Sequence, residues 1–554
     1  MAVVTRAVAR LLSVPVGLAA GAVHRLATGS SAVLDVRVGR HEGLRERDSF
    51  LRRLQRAAHD PHLAAVLLRI DAPPGGWASC EDLRSVVTRI RASGRPVYAF
   101  LESAGNAATW ISAACDRVFL LPTADVGLVG VGVELTFFGA ALSRLGVRPD
   151  LEAAGAYKSF GEPWTRSFAS PANQEAVRDL VADLHEQLVV GIAEGRRKSV
   201  DEVRALLERA PLSAADARDA GLVDQLLYED QLLDWLKERH GSRTKLHTFR
   251  GWAIRDAVLE DVASWGAGAT TVTVLHLQGP VVLESQGTST AIAAHTVTPI
   301  LDRLAQDDRV GAVVLHVDSP GGSALASDVV WRAVDELRRK KPVVASFADV
   351  AASGGFYLAA PANVIVARGG TLTGSIGVFG GKLVAGEGLS RAGIHTQEVL
   401  GAPNANLFSA SRPFTPEQRA RFRASLQRVY DGFVQRVAAG RGRPAEQVEP
   451  HCRGRVWTGH AALERGLVDE RGDLGRAVER AAALAGVPVA AIRRRDLAAH
   501  REPFWARWLQ GLVRQAIPAA SLAGRVFSSG RALDLFVRHE GQALTLFPYD
   551  LDVR

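Results

Sequence analysis

A serine and a lysine, far apart in the chain, are the residues whose surroundings suit hydrolytic chemistry. Ser353 lies in Ala351-Ala352-Ser353-Gly354-Gly355, between the apolar runs 343–347 and 356–360. The first run is short and β-branched and reads as a buried strand; the second reads as a helix. A small-residue turn between them holds the serine at a helix N-terminus, where backbone N–H groups point at whatever it attacks. The two glycines that follow let a substrate backbone come close. On this local pattern alone, the plainer reading of Ser353 is a helix N-cap. Lys158 lies in Gly155-Ala156-Tyr157-Lys158-Ser159-Phe160-Gly161-Glu162-Pro163-Trp164. A serine hydroxyl is a weak nucleophile until a base takes its proton. A neutral lysine can be that base, and burial beside Tyr157, Phe160, Pro163 and Trp164 lowers its pKa. Taken alone, a lysine in a loop is an ordinary surface residue.

An internal repeat connects the two. Ala65-Val66-Leu67-Leu68-Arg69-Ile70-Asp71-Ala72-Pro73 parallels Ala312-Val313-Val314-Leu315-His316-Val317-Asp318-Ser319-Pro320, and both lead into a glycine pair, Gly75-Gly76 and Gly321-Gly322. Arg95-Pro96-Val97 parallels Lys341-Pro342-Val343, Leu142-Ser143-Arg144 parallels Leu389-Ser390-Arg391, and Gly221-Leu222-Val223-Asp224 parallels Gly466-Leu467-Val468-Asp469. The offsets run from 245 to 247 in one order, which identifies tandem homologous domains. The copies differ where chemistry is at stake. Ser353 falls on Ala107 of the first copy, and Lys158 falls on Ala405 of the second. Each copy keeps one member of the pair and lacks the other, as expected of two domains that share one catalytic site.

Each copy alternates β-branched strands with helical stretches, an α/β pattern. Residues 33–38 and 272–277 open the copies as strands. Each has a late helix with proline at its first position, capped by Ser170 before Pro171 and by Thr415 before Pro416. The expected division is an apolar N-terminal segment at 1–30, a first domain at 31–227 carrying the lysine, and a linker at 228–268 with helical patterning over 231–239. A second domain follows at 269–490 with the serine, and a basic amphipathic tail at 491–554.

Composition narrows the alternatives. The chain has 554 residues, 47% hydrophobic and 23% charged, which describes a globular protein of more than one domain. Its net charge of +8 is dilute over this length, with no basic stripe among stacking aromatics, so nucleic acid is not expected as a partner. Cys80, Cys115 and Cys452 form no CxxC pair and no disulfide framework. Gly380-Gly381-Lys382 is not a phosphate-binding loop, because Ile376 replaces the required first glycine and Leu383 follows the lysine. No metal or cofactor is expected.

The second copy's Asp318-Ser319-Pro320-Gly321-Gly322, Ala351-Ala352-Ser353-Gly354-Gly355 and Thr373-Gly374-Ser375-Ile376-Gly377, with Val456-Trp457-Thr458-Gly459, resemble signal peptide peptidase A, the long two-domain branch of the S49 serine peptidases. The first copy's Tyr157-Lys158-Ser159 and Glu162-Pro163 resemble that family's general-base segment. The resemblance covers roughly residues 35–490. It implies tandem duplicated domains of the Clp protease/crotonase-like fold, built of β-β-α units. It implies Ser353 as nucleophile, Lys158 as general base and Ser375 as the residue that orients the lysine. It implies an oxyanion hole from the N–H groups of Gly321, Gly322 and Gly354. It further implies a membrane-associated homotetramer that degrades signal peptides or other apolar peptides, with its catalytic domains outside the cytoplasm of a bacterial cell.

Three rival readings stand beside this one. A histidine base drawn from His276, His295, His316 or His395 is one. An acyl-CoA enzyme of the crotonase type, working through a glutamate, is the second. A non-catalytic membrane scaffold is the third. For membrane contact, Arg6 and Arg10 precede the apolar run 11–23, which is short and broken by Pro15 and reads as a signal ending near Ala20-Gly21-Ala22, a short membrane anchor, or an ordinary amphipathic first helix. Trp505, Trp508, Leu509 and Leu512 share one helical face, which suits a membrane interface or, equally, packing on its own domain or on a neighbouring subunit.

Overall fold

The computed structural model describes residues 32–41, 43–253, 271–284, 290–488 and 492–499, together with the backbone of 544–546. The apolar segment 11–23 and the amphipathic stretch 505–512 lie outside the described residues. Among the described residues, no helix is long and apolar enough to cross a membrane.

The chain forms two compact units. The first holds the described residues of Met1–Gly132 and Ala182–Ala269, and the second those of Val133–Val181 and Thr270–Asp552. The segment that carries Lys158, though it belongs to the first repeat, is thus built into the same unit as Ser353.

Each unit centres on a parallel sheet, and the two sheets have one topology. In the first the strand order is Lys245–Thr248, Ala32–Val38, Leu63–Ile70, Val97–Leu101, Arg117–Leu120, Gln225–Leu226. The second sheet has eight strands, six of which repeat that order: Arg493–Ala498, Thr271–Gln278, Val310–Ser319, Val343–Ala352, Val364–Ala367, Glu470–Arg471; Leu372–Gly374 pairs with the far end of Val343–Ala352 and carries Val456–Thr458 antiparallel on its outer side. Their near-continuous apolar runs fit a parallel sheet covered on both faces. In the second unit Val313, Leu315 and Val317 face one core, while Ala312 and Val314 face the helix Leu474–Leu484 on the other. The stretch 228–268, expected as a linker, supplies the matching parts of the first unit. Its helix Glu229–His240 packs Leu232 and Leu236 against the sheet, and Lys245–Thr248 pairs with Ala32–Val38. Its counterparts in the second repeat lie after the last sequence anchor, GLVD, so the anchors alone did not mark them as repeated.

The expected caps are present on the long helix Pro416–Arg441. Thr415 Oγ1 accepts from the Gln418 N–H, and the Gln418 side chain accepts in turn from the Thr415 N–H.

A further sheet in the second unit positions the site. Its order is Ile292–Ala293, Val281–Val282, Gly321–Ser323, Leu544–Leu546, Val378–Val384, Arg148–Ala154. The last strand is the arm from the first repeat, paired antiparallel along Val378–Val384 from Arg148↔Val384 to Ala154↔Val378. Asp150 and Glu152 of this arm form ion pairs with Arg419 of the long helix, and Asp150 Oδ2 accepts from the Phe414 N–H at 2.7 Å.

Candidate active site

The long strand Val343–Ala352 delivers Ser353 to the start of the short helix Gly354–Ala359. Its side chain makes no capping hydrogen bond, which sets aside the N-cap reading. Instead, Ser353 Oγ lies 2.7 Å from Lys158 Nζ. The same Nζ donates to Ser375 Oγ and to the Ser375 carbonyl, each at 2.9 Å. Ser353 and Ser375 are fully buried and Lys158 is 5% exposed. Burial pushes the Lys158 ammonium well below the ordinary lysine range, because removing the charge from water disfavours the protonated form.

Backbone geometry at the site is unusual. Ser353 has φ 54° and Ser375 has φ 51°, in the region that favours glycine. Such conformations cost about 1–3 kcal/mol each and persist where surrounding contacts impose them. Here the contacts are visible. The Ser353 N–H donates to the Gly374 carbonyl at 2.8 Å, and the Ser375 N–H donates to the Arg455 carbonyl at 2.7 Å. Thr373 Oγ1 ties the same turn to the Ala351 carbonyl at 2.6 Å.

The lysine segment is held by a turn that the sequence reading did not single out, Arg453-Gly454-Arg455. The Tyr157 N–H donates to the Arg453 carbonyl at 2.8 Å, and the Gly454 N–H donates to the Ile376 carbonyl at 2.7 Å. One short turn therefore binds both the lysine loop and the Ser375 turn. Gly454 has φ 78°, and a Cβ there would meet Lys158 backbone N, Cβ and Cα at 2.6–2.8 Å. The Arg455 guanidinium lies between the rings of Tyr157 and Trp457, at 4.8 and 4.5 Å from their centroids, and pairs with Glu175 at 2.6 Å. That pairing holds the Glu175 carboxyl below its usual range. The signal for this turn in the sequence was slight: one glycine before Val456-Trp457-Thr458-Gly459.

The other predicted residues fall as follows. Gly354 is the first residue of its helix, so its N–H has no partner within the helix. Gly321 and Gly322 form the strand Gly321–Ser323. The Gly321 N–H donates to Ser319 Oγ at 3.2 Å. What approaches Gly355 is not a substrate but Ser319 of the neighbouring strand, whose carbonyl would lie 2.7 Å from an added Cβ. Of the aromatics expected beside Lys158, Phe160 is buried and stacks on Phe379 with centroids 4.5 Å apart. Trp164 instead stacks on Phe138. Three of the four candidate histidines are engaged elsewhere, His276 with Asp496, His316 with the Ser346 carbonyl, and His295 with Glu284, and His395 is exposed. The hydroxyl of Ser353 meets a lysine amine and not an imidazole.

In the first unit Ala107 stands at the nucleophile position, and its neighbour Asn106 bridges the Gly130 backbone through both amide atoms, at 2.7 and 3.1 Å. No hydroxyl is available there.

The profile of "Peptidase family S49" matches residues 89–243 and 335–488, one stretch in each repeat. The chain belongs to Peptidase family S49. It is 32% identical over 444 residues to "Serine protease SPPA, chloroplastic" of Arabidopsis thaliana, covering 78% of this chain and 65% of that protein. It is 30% identical over 442 residues to "Protease 4" of Salmonella typhi, covering 78% of this chain and 71% of that one. "Protease 4" of Haemophilus influenzae is 27% identical, with 77% and 71% covered. The S49 chain is therefore a serine peptidase of the two-repeat form, with α/β domains in tandem. The acyl-CoA and scaffold readings are not favoured.

Proposed function

We propose that this S49 peptidase hydrolyses peptide bonds through a Ser353/Lys158 dyad. The observation that carries the reading is the 2.7 Å approach of Lys158 Nζ to Ser353 Oγ in a buried setting. Neutral Lys158 takes the Ser353 proton as Oγ attacks the scissile carbonyl. The tetrahedral oxyanion is stabilised by N–H groups of Gly321, Gly322 and Gly354. As the C–N bond breaks, the lysine returns the proton to the leaving amine. A water then attacks the acyl-serine with the lysine again as base, releasing the acid and restoring Ser353. Ser375 directs the lysine lone pair through its hydroxyl and carbonyl.

Fluorophosphonate labelling tests the dyad. Ser353→Ala, Lys158→Ala and Lys158→Arg are each expected to lose labelling and peptide hydrolysis, since arginine does not deprotonate near neutral pH. Substantial turnover by any of the three sinks it.

The substrates are read as signal peptides or other apolar peptides presented at a membrane, on the strength of the family resemblance and of the apolar N-terminal run 11–23. Assembly into a ring of identical chains, taken as a tetramer, is supported by the duplication. Residues 148–154 of the first repeat pair with 378–384 of the second. Shifted by the repeat offset of 247, the equivalent partners are 395–401 and 131–137. Neither forms a strand in the single chain; 131–137 alternates half-buried and exposed positions, and Val399 is 93% exposed. A head-to-tail contact between chains satisfies both. In that register Val133 faces Val399 of the next chain, as Gly380 faces Glu152 within the chain. Oxidised Val133→Cys/Val399→Cys protein is expected to run as a covalent ladder on denaturing gels; a monomer-only band refutes the contact.

A further inference from the structure

One residue outside the dyad grips both the lysine segment and the Ser375 turn. The Arg455 guanidinium lies over the Tyr157 ring at 4.8 Å and over the Trp457 ring at 4.5 Å. Arg455 Nη1 donates to Glu175 at 2.6 Å, and Nη2 donates to Asp179. The Tyr157 hydroxyl donates to the same Glu175 at 3.2 Å. Tyr157 immediately precedes Lys158. The Arg455 carbonyl, for its part, accepts the Ser375 N–H at 2.7 Å, and Ser375 receives the lysine amine through its hydroxyl and carbonyl. Arg455 thus reaches the base from two directions, along the chain that carries it and along the turn that receives its protons.

The internal repeat separates a catalytic purpose from a structural one. The strand Val456–Thr458 pairs antiparallel with Leu372–Gly374, as Leu212–Ser213 pairs with Asp125–Gly127 in the first repeat. The offset of 245 that places Thr458 on Ser213 also aligns the GLVD runs and the prolines that begin the two long helices. At that offset Arg455 falls on Ala210, Trp457 on Leu212, Glu175 on Ala420 and Asp179 on Ala424. At the offset of 247, Tyr157 falls on Asn404, beside the Ala405 that stands in place of the lysine. Each member of the set is present where it meets Lys158 and absent from the equivalent position, where there is no lysine to hold. A requirement of the shared fold would be met in both copies. The ion pairs do not account for the set either. The Glu175 and Asp179 side chains are 50% and 57% exposed, and such pairs contribute little to folding in water.

We propose that Arg455 is a positioning residue for proton transfer at Ser353: it clamps the Tyr157-Lys158 segment to the Ser375 turn, so that the amine stays within reach of the nucleophile and away from water. The proposal rests on the dyad reading. A guanidinium suits the place because its plane stacks on rings while its edge takes two carboxylates, which an ammonium cannot do.

Full-length Arg455→Met and Arg455→Lys are expected to lower kcat about 10-fold or more with KM within about 2-fold of wild type, since a misplaced base acts on the chemical step and not on peptide binding. The basic-limb midpoint of kcat/KM is expected to rise in both as water reaches Lys158; a role confined to stability leaves that midpoint where it is. In Arg455→Ala, added methylguanidinium is expected to restore kcat saturably by binding between the rings, and methylammonium is not. Glu175→Gln/Asp179→Asn, at half-exposed sites that the fold tolerates, should move kcat and midpoint in the same directions. Arg465→Met is the control. Its guanidinium also lies over Trp457, at 4.0 Å, but its other partners, the Ala461 carbonyl and Glu464, belong to the helix Gly459–Glu464. That variant should keep wild-type kcat. Wild-type kcat and midpoint in folded Arg455→Met overturn the proposal, as does the same result in the carboxylate variant where Arg455→Met does not fold. An equal loss in Arg465→Met also overturns it, because the effect is then one of packing on Trp457. The dyad fails on a different result, full turnover by Lys158→Ala.

Discussion

Replacing Gly454 by alanine is expected to disable catalysis from a position that touches neither substrate nor nucleophile. The new methyl would sit 2.6–2.8 Å from Lys158 backbone N, Cβ and Cα. Carbon contacts relax at roughly 3.4 Å or more, so the lysine segment must retreat by about 0.6–0.8 Å. It cannot retreat freely, because the Tyr157 N–H is bonded to the Arg453 carbonyl in the same turn. Passed on to the side chain, that shift stretches the 2.7 Å Nζ–Oγ approach past hydrogen-bond range. A misplacement near 1 Å costs on the order of 100-fold in rate, so a 30- to 100-fold loss in kcat is expected, at roughly that scale. Alanine at φ 78° adds strain of about 1–2 kcal/mol to the folded state. The control is Gly442→Ala. That residue has φ 61° at the end of the helix Pro416–Arg441, and a Cβ there meets nothing within 4 Å. It carries the strain without the displacement. Steady-state kinetics on an apolar reporter peptide, with thermal melts of both variants, read the difference. The Gly454 variant should lose kcat, and its basic-limb midpoint should rise as Lys158 leaves its buried setting. The Gly442 variant should lose only stability. Wild-type kcat in a folded Gly454→Ala protein would falsify the reasoning.

Because burial depresses the Lys158 pKa, kcat/KM should rise with pH through one ionisation centred well below the ordinary lysine value of about 10.4. A profile flat from mildly acid to alkaline pH argues against a lysine base. The same shift has a sign for stability. Between the depressed folded pKa and the unfolded value, the unfolded chain holds a proton that the folded chain lacks, so this group makes the fold more stable as pH rises across that window. Lys158→Met should flatten that part of the stability profile, measured by urea unfolding at several pH values. Ser375→Ala should lower kcat severalfold while Ser353 remains reactive to fluorophosphonate, since the base keeps its approach to Ser353 but loses a hydroxyl partner; unchanged kinetics would leave Ser375 a turn residue only.

Much of this protein was legible without coordinates because a duplicated gene product carries its own internal comparison. Aligning the copies paired Ser353 with Ala107 and Lys158 with Ala405, and that complementary loss singled out both residues. Strand and helix placement followed from β-branched runs and from Ser/Thr-Pro caps, which are local signals. What lay beyond the sequence was set by contacts between residues distant along the chain. Nothing local to residues 148–154 announces that this strand leaves its own repeat to pair with Val378–Val384, yet that pairing brings the lysine to the serine's unit. Nothing local to Gly454 distinguishes it from other turn glycines; its role appears only where the Lys158 backbone closes against it. The left-handed backbone of Ser353 and Ser375 was equally hidden, because strain of that kind is imposed by tertiary hydrogen bonds against residue preference. Residue types and spacing determined which groups could react. The long-range pairing of strands decided which of them meet, and how far from water.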